Sequence, residues 1–305
     1  MSILLAASFR PLAAIGGFPS FGPRAKAAAL ASGAVLFWAT WPTLATLAGP
    51  VPPFLVFGLA AGVGFILSLL LAAARGQTRT FLATPPRTML LVSVGQLVTA
   101  ALFLFAMPRI GAAEANVISY LWPVMLVLIL ARWRGERLGP LRLAGIGLGF
   151  IGAVFAIGPT FAMGFDPVGV LFAFLGGLSF AIYAAIRSFA REPGDVIGPS
   201  MGLMSLIAFS LHITFEPAAD LSITQVLVIA AIGIAPLTIS NALWDKASRT
   251  EHTSLISAIA YATPLASIVI MALVGVGMVS WSVLVGAVLV VAGALAASGL
   301  VGRGA

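Results

Sequence analysis

The sequence is poor in the side chains that most enzymes use for chemistry. Its 305 residues include no cysteine and only two histidines, which excludes disulfides and thiolate metal sites. Charged residues make up 8% of the chain, whereas a soluble domain carries about 25%. No Gly-x-x-x-x-Gly-Lys segment is present, so this chain does not hydrolyse ATP through a phosphate-binding loop. We therefore expect neither a cofactor nor a metal.

The chain instead contains long runs of apolar residues. Hydrophobic residues make up 61% of it, and the mean hydropathy is +1.13. The apolar runs are long and lack the alternation of barrel strands, so the sequence predicts an all-α integral membrane protein. Most runs fall in the range of roughly 17–25 residues that a helix needs to cross a bilayer. We predict ten transmembrane helices, at 27–48, 53–74, 88–107, 114–131, 141–158, 167–187, 198–215, 222–244, 253–274 and 280–301.

The positive charges predict the orientation of these helices. All but one of the 16 Lys and Arg residues fall in the two tails or in alternate connections, and Arg109 is the exception. Because basic residues collect on the cytoplasmic side, both termini are predicted to be cytoplasmic, with residues 1–26 as an N-terminal tail. The net charge of +7 is explained by this bias, and no aromatic-and-basic cluster suggests nucleic acid.

The two halves of the sequence resemble each other weakly. Displaced by 141 residues, Tyr120 falls on Tyr261, Pro123 on Pro264, and Gly152 on Gly293. Residues 27–158 and 167–301 are therefore predicted to be two five-helix repeats. Five is odd, so the second repeat enters the membrane upside down, as in many secondary transporters whose substrate site lies between the copies.

Three segments carry a resemblance to a known family. They are Ser119-Tyr120-Leu121-Trp122-Pro123, the sixth-helix segment Gly176–Ala184, and Tyr261-Ala262-Thr263-Pro264. With ten predicted helices, the chain resembles the drug/metabolite transporter superfamily, and specifically its EamA-type exporters of aromatic amino acids (the YddG type). The resemblance implies alternating-access export of amino acids and related metabolites. Phe180 and Asp245 depart from the family pattern, which leaves the substrate open.

The candidate substrate site follows from rings and amides placed inside spans. Tyr and Trp usually lie at membrane interfaces, and an amide is costly to expose to lipid, so such residues in mid-span indicate a cavity or a contact between helices. Packing alone is the alternative for any single ring. The predicted substrate-binding residues are Trp38, Trp41, Gln96, Thr99, Tyr120, Trp122, Phe180, Tyr183, Asn241, Trp244 and Tyr261.

Pro123 and Pro264 are predicted hinges that free the backbone carbonyls of Ser119 and Ala260, which are then open to a substrate ammonium. The Gly-x-x-x-Gly spacings at Gly58, Gly145 and Gly198 are assigned to close helix contact.

The function predicted from these features is facilitated export of aromatic or bulky apolar amino acids across the bacterial inner membrane by a monomer. Coupling to protons is disfavoured because no carboxylate lies near the middle of a span, and His212 is assigned to the outer interface. A broader metabolite or drug exporter, with or without proton coupling, is the alternative. An enzyme is disfavoured because His212 and His252 lie at opposite ends of spans and no catalytic pair shares a depth. A scaffold would not need prolines and amides at mid-membrane.

Overall fold

The computed structural model describes residues 22–163, 166–189, 196–248, 253–277 and 279–298, and within this part the chain is helical with no strand. Residues 1–21 of the predicted tail and His252 lie outside it, as does the side chain of Asp245. The elements are α1 Pro23–Ala39, α2 Trp41–Ala48, α3 Pro53–Ala74, α4 Thr78–Leu82, α5 Pro86–Ile110, α6 Ala112–Ser119, α7 Trp122–Arg134, α8 Pro140–Met163, α9 Pro167–Ser188, α10 Ile197–Phe215, α11 Ile223–Ile232, a π-helical segment Gly233–Ile239, α12 Ser240–Ser248, α13 Thr253–Ala260, α14 Thr263–Val274 and α15 Trp281–Ser298.

Eight helical stretches in the described residues are long and apolar enough to cross a membrane. Two further apolar stretches in the described residues are shorter, Pro140–Ala156 within α8 and Thr263–Val274, which is α14. The chain is therefore an all-α, multi-pass membrane protein. The helix ends agree with the predicted runs to within a few residues, and α1 begins four residues before the predicted start at 27.

Two pairs of long helices pack closely through glycines. In the pair α8 and α15, a Cβ added at Gly152 would lie 2.7 Å from the Gly286 carbonyl, and one added at Gly145 would lie 2.7 Å from the Gly293 carbonyl. As residue numbers rise along α8 they fall along α15, so the two helices are antiparallel. The assignment of Gly145 and Gly149 to helix contact is confirmed.

In the pair α3 and α10, side chains of one helix lie on glycines of the other. Gly62 faces Ser205, and Gly202 faces the ring of Phe65. This contact is again antiparallel. Small residues let the two backbones approach, and in lipid such close packing is what holds helices together.

The main core joins α2, α3, α5, α6, α9, α10 and α15, with side chains such as Phe57, Ile118, Leu121 and Met201 fully buried. Rings at the ends of spans behave as interface anchors should: Trp133 and Trp281 are exposed by 51% and 82%.

Candidate functional site

Helix breaks beside prolines shape the middle of the molecule. Pro42, Pro123 and Pro264 each occupy the first turn of a new helix, α2, α7 and α14, after an interruption of one or two residues. At two of these breaks the chain tightens by one residue, with Leu121 N bonded to Ile118 O and Ala262 N to Ile259 O, both at 3.0 Å. Proline lacks the donor that would continue the ladder, so the interruptions at the predicted hinges Pro123 and Pro264 follow directly from sequence.

The carbonyls freed by these prolines are occupied by protein, which corrects the expectation that they face a substrate. The Ala260 carbonyl accepts a hydrogen bond from Thr263 Oγ1 at 2.6 Å. The Ser119 carbonyl lies against Gly177, where an added Cβ would be 2.6 Å away. Side-chain hydroxyls commonly satisfy backbone groups at such breaks in membranes, and neighbouring helices cover them.

A different kind of helix break surrounds Pro236. The chain widens into a π-helix there, and side chains take over the exposed carbonyls: Thr238 Oγ1 donates to Gly233 O at 2.8 Å, and Asn241 Nδ2 donates to Leu237 O at 2.6 Å. π-Helical turns occur frequently at functional sites. This one sets the position of Asn241, one of the predicted site residues.

Three predicted rings form a line between α7 and α9. The centroids of Trp122 and Phe180 are 4.9 Å apart with the rings nearly perpendicular, and Phe180 and Tyr183 are 5.7 Å apart. Edge-to-face contacts of this kind are favourable. The Tyr183 ring lies on Gly95 of α5, where an added Cβ would be 2.8 Å from it, so a glycine is what lets this ring approach the helix.

The line of rings continues to a small cavity bordered by two amides. The Tyr183 hydroxyl is hydrogen-bonded to Gln96, and Gln96 and Asn241 line the same cavity between α5, α10 and the π-helical segment. The space available to the centre of a water molecule is about 10 Å³, which is room for one water. Ser93 and Ser200 in the wall already donate to the Ser200 and Val196 carbonyls at 2.8 and 2.6 Å. The hydrogen-bonding groups in this cavity wall that remain available to a ligand are therefore those of the two amides.

Two tryptophans extend this constellation. Trp244 lies one turn beyond Asn241 on α12, and its ring is 5.1 Å from that of Trp38 on α1. The structure thus joins seven of the eleven predicted residues into one continuous chain of neighbours, here called the ring line: Trp122, Phe180, Tyr183, Gln96, Asn241, Trp244 and Trp38.

The other four predicted residues lie apart from the ring line. Trp41 packs on Phe57 and Phe103 in the main core, and Thr99 Oγ1 donates to Gly95 O at 2.8 Å within its own helix. Tyr120 is hydrogen-bonded to Thr263 across the two broken helices.

Tyr261 packs with Val124, Ile146 and Ala294 and is hydrogen-bonded to Ser298. The structure therefore places Tyr261 against α15 rather than beside the other rings.

Charged side chains connect helices at the end of the bundle where α3 begins and α10 ends. Glu216, at the end of α10, accepts from the backbone N–H groups of Phe54 and Leu55 at the start of α3, at 2.9 and 3.3 Å. His212 Nδ1 lies 2.9 Å from the same carboxylate. A carboxylate at a helix N-terminus is favoured by the helix dipole.

A second ion pair lies at this end. Arg109 Nη1 contacts Asp166 Oδ2 at 3.0 Å, and Asp166 also caps α9 by accepting from the Val168 and Gly169 N–H groups. The bond from Gly169 and the bond from Arg109 lower the pKa of Asp166 below its ordinary value.

Two buried polar residues were missed by the sequence reasoning. Thr43 Oγ1 in α2 and Asn116 Nδ2 in α6 are buried and have no hydrogen-bond partner within the described residues. Such atoms are rare in native proteins. Asn116 lies four residues before Tyr120, and an amide inside an apolar run was the signal available to find it.

Comparisons with known proteins agree with this architecture. Residues 25–158 match the model of the EamA-like transporter family. The aromatic amino acid exporter YddG of Ancylobacter novellus is 30% identical over 286 residues, covering 92% of this chain and 99% of the relative. YddG of Salmonella typhimurium is 26% identical over 205 residues, covering 63% and 68%. A crystal structure of a protein 29% identical to this chain matches with a TM-score of 0.70, over 91% of this chain and 99% of that one.

Proposed function

This chain belongs to the EamA-like transporter family, and we propose that it exports aromatic or bulky apolar amino acids and related metabolites by alternating access. The observation that carries the proposal is the ring line, where three rings lead to two amides at a cavity. The relatives named as aromatic amino acid exporters support the same substrate class.

The chemistry of the ring line matches an aromatic amino acid. Ring faces at Trp122 and Phe180 stack on a planar side chain and attract an ammonium group, each such contact contributing about 0.5–2 kcal/mol. The amides of Gln96 and Asn241 donate hydrogen bonds to a carboxylate. Contacts of this size give weak binding, which suits a carrier that must also release its cargo.

Reciprocal contacts support two repeats of five helices related by a twofold axis. The contact of Gly152 with Gly286 becomes that of Gly293 with Gly145 when each residue is exchanged for its equivalent 141 positions away. The contact of Gly62 with Ser205 becomes that of Gly202 with Phe65 at a displacement of 140. Contacts that map onto themselves are the mark of a twofold relation. Because both helix pairs are antiparallel, the proposed axis lies perpendicular to the helices, in the membrane plane.

We propose ten transmembrane helices, adding the two shorter apolar ones to the eight long ones. Helix α14 continues α13 across the break at 261–262, just as α7 continues α6 across the break at 120–121. Helix α8 packs along its length on α15, which is itself long enough to cross a membrane.

Alternating access requires the cavity at Gln96 and Asn241 to widen, since it has room for a single water. The first half supplies Trp38, Gln96 and Trp122 to the ring line, and the second half supplies Phe180, Tyr183, Asn241 and Trp244. Rocking of one half against the other therefore opens this site and breaks the bond of Glu216 to α3 at the far end.

Transport is proposed to be facilitated diffusion, because the ring line contains no carboxylate, histidine, lysine or arginine. The alternative, coupling to protons, would use Glu114, which is buried at the start of α6 with 8% of its surface exposed. Placement in the bacterial inner membrane with both termini cytoplasmic is proposed from the distribution of basic residues.

Counterflow into liposomes tests the proposal. Vesicles preloaded with unlabelled phenylalanine should take up labelled phenylalanine, tryptophan and tyrosine faster than labelled glutamate or lysine, with and without a proton gradient. Equal uptake of unrelated metabolites and drugs would favour the broader exporter instead. A gradient-driven accumulation lost in Glu114→Gln would overturn facilitated diffusion.

The variant Trp122→Ala should lower phenylalanine counterflow on the order of tenfold, by the loss of one or two ring contacts. Trp133→Ala is the matched control, because Trp133 is exposed at the end of the same helix. Equal counterflow rates for the two variants would show that the substrate does not bind at the ring line.

A further inference from the structure

A second concave surface lies away from the ring line, on the outer face of the helix bundle. It is a groove of about 470 Å³ between α3, α4, the start of α5 and the first half of α10. Volumes of this size hold small ligands elsewhere in proteins. Its walls include Gly62, Phe65, Ile66, Leu82, Gly202 and Leu206.

The groove is apolar and opens toward the lipid. Ile66, Leu82 and Leu206 on its rim are exposed by 58%, 65% and 67%. Its one hydroxyl, that of Ser205, donates to the Gly58 carbonyl at 2.8 Å and is therefore already used. A wall without free polar groups does not fit an amino acid, because the charged ends of that ligand would lose their hydrogen bonds to water.

The short helix α4 closes one end of the groove. Phe81 is buried there, with its ring 6.0 Å from that of Phe65, while Leu82 beside it stays exposed. Helix α4 is thus anchored by one apolar residue and presents another to the open groove. An acyl chain lying along α3 and α10 would cover Leu82 and Leu206 together.

Three arginines lie in the chain next to this closed end. Arg75 follows α3, Arg79 lies in α4 three residues before Leu82 of the groove wall, and Arg87 lies at the start of α5. All three are exposed. Within the residues that the structure describes, no carboxylate forms an ion pair with Arg75, Arg79 or Arg87.

We infer that the groove holds one acyl chain of an anionic phospholipid, with the phosphate held by Arg79 and Arg87. The apolar groove fits the acyl chain, and the exposed guanidinium groups fit the phosphate of the head group. The site is distinct from the ring line and does not depend on which amino acid is carried.

Native mass spectrometry of the purified protein, released from detergent containing defined lipids, tests this inference. With equal amounts of phosphatidylglycerol and phosphatidylcholine present, the wild type should retain one lipid, predominantly phosphatidylglycerol. Arg79→Gln and Arg87→Gln should each lower the affinity for phosphatidylglycerol about fivefold and leave that for phosphatidylcholine unchanged. Arg137→Gln, an exposed arginine in another connection, is the charge control.

Filling the groove with a larger side chain tests whether it holds the acyl chain. Leu206→Trp should abolish retention of both lipids, whereas Leu273→Trp, at a site exposed by 81% on α14, should not. Ile66→Trp on the facing wall repeats the test if Leu206→Trp is poorly folded. Equal lipid retention in the filled and control variants would overturn the inference. So would a wild-type dimer that Leu206→Trp converts to a monomer, because the groove would then be a contact between two copies.

Discussion

At the residue scale, the bond between Gln96 and Tyr183 links the amide cavity to the rings. Gln96 comes from the first half of the chain and Tyr183 from the second. A polar group inside a membrane protein is expensive to leave without a partner, so each of these residues holds the other in place. The bond therefore sets the orientation of the ring that Phe180 packs on.

Removing either partner should lower transport, and removing both should cost little more. Gln96→Leu and Tyr183→Phe each lose the same hydrogen bond, so their effects are not additive. We expect each single variant to reduce phenylalanine counterflow about three- to tenfold, and the double variant to be close to the worse of the two. Thr99→Val is the control, because its hydroxyl bonds its own helix. Fully additive effects would show that the two residues act separately.

Asp166 gives the molecule a pH-dependent contact outside the membrane. Its pKa is lower in the folded protein than its ordinary value because Gly169 N–H and Arg109 both bond the charged form. A lowered pKa means that the stabilisation is complete above about pH 4, the ordinary range of the group, and is lost as pH falls through the folded value.

Asp166→Asn should therefore lower the thermal unfolding temperature by a constant amount between pH 7 and pH 5. The difference from wild type should shrink below about pH 4, where the native carboxylate also becomes neutral. An asparagine still caps a helix, so the comparison isolates the charge. Thermal unfolding followed by intrinsic fluorescence provides the measurement, and a difference that does not change with pH would contradict it.

At the element scale, the glycines of α8 and α15 decide how closely two helices approach. A methyl group at Gly152 would have to enter the backbone of α15, because its nearest neighbours are Gly286 O and Val290 N at 2.7 Å. On the same helix, Gly147 has nothing within 4 Å of an added Cβ. The same chemical change therefore meets opposite surroundings five residues apart.

Gly152→Ala should destabilise the protein by about 1–3 kcal/mol through overpacking. Gly147→Ala should be neutral or slightly stabilising, since alanine has the higher helix propensity. Thermal unfolding in detergent compares the two variants. Equal losses of stability would mean that α8 does not pack on α15 through this face.

The sequence predicts elements better than contacts, for physical reasons. Apolar runs and prolines act locally, so the helix limits and the breaks beside Pro123 and Pro264 could be predicted. Which rings meet depends on the rotation of each helix, so the sequence does not predict that Tyr261 packs on Ile146 rather than beside Trp122. The π-helical turn at Pro236 also depends on neighbours that a single sequence does not reveal, as does the lack of a described hydrogen-bond partner for Asn116.

At the scale of the whole molecule, the proposed inversion of the halves fixes which connections share a side of the membrane. Gln77, between α3 and α4, is proposed to be cytoplasmic. Ala218, between α10 and α11, is proposed to be external. Both residues are exposed, and the absence of cysteine from the chain allows single cysteines to be introduced without background.

Ala218→Cys should react with an impermeant maleimide in intact cells, whereas Gln77→Cys should react only after the membrane is opened. Labelling is read on the purified protein, with the cysteine-free parent as the blank. If both cysteines react from the same side of the membrane, the proposal of inverted halves is wrong.

The reciprocal glycine contact has a consequence for how such a chain can arise. Because the contact of Gly152 with Gly286 and that of Gly145 with Gly293 are equivalent under exchange, two separate copies of one ancestral five-helix segment, inserted in opposite directions, could meet through the same face. Fusing the genes of the two copies would ensure that each molecule contains one segment inserted in each direction. It would also free each copy to accumulate its own side chains, such as Trp41 in one and Tyr183 in the other.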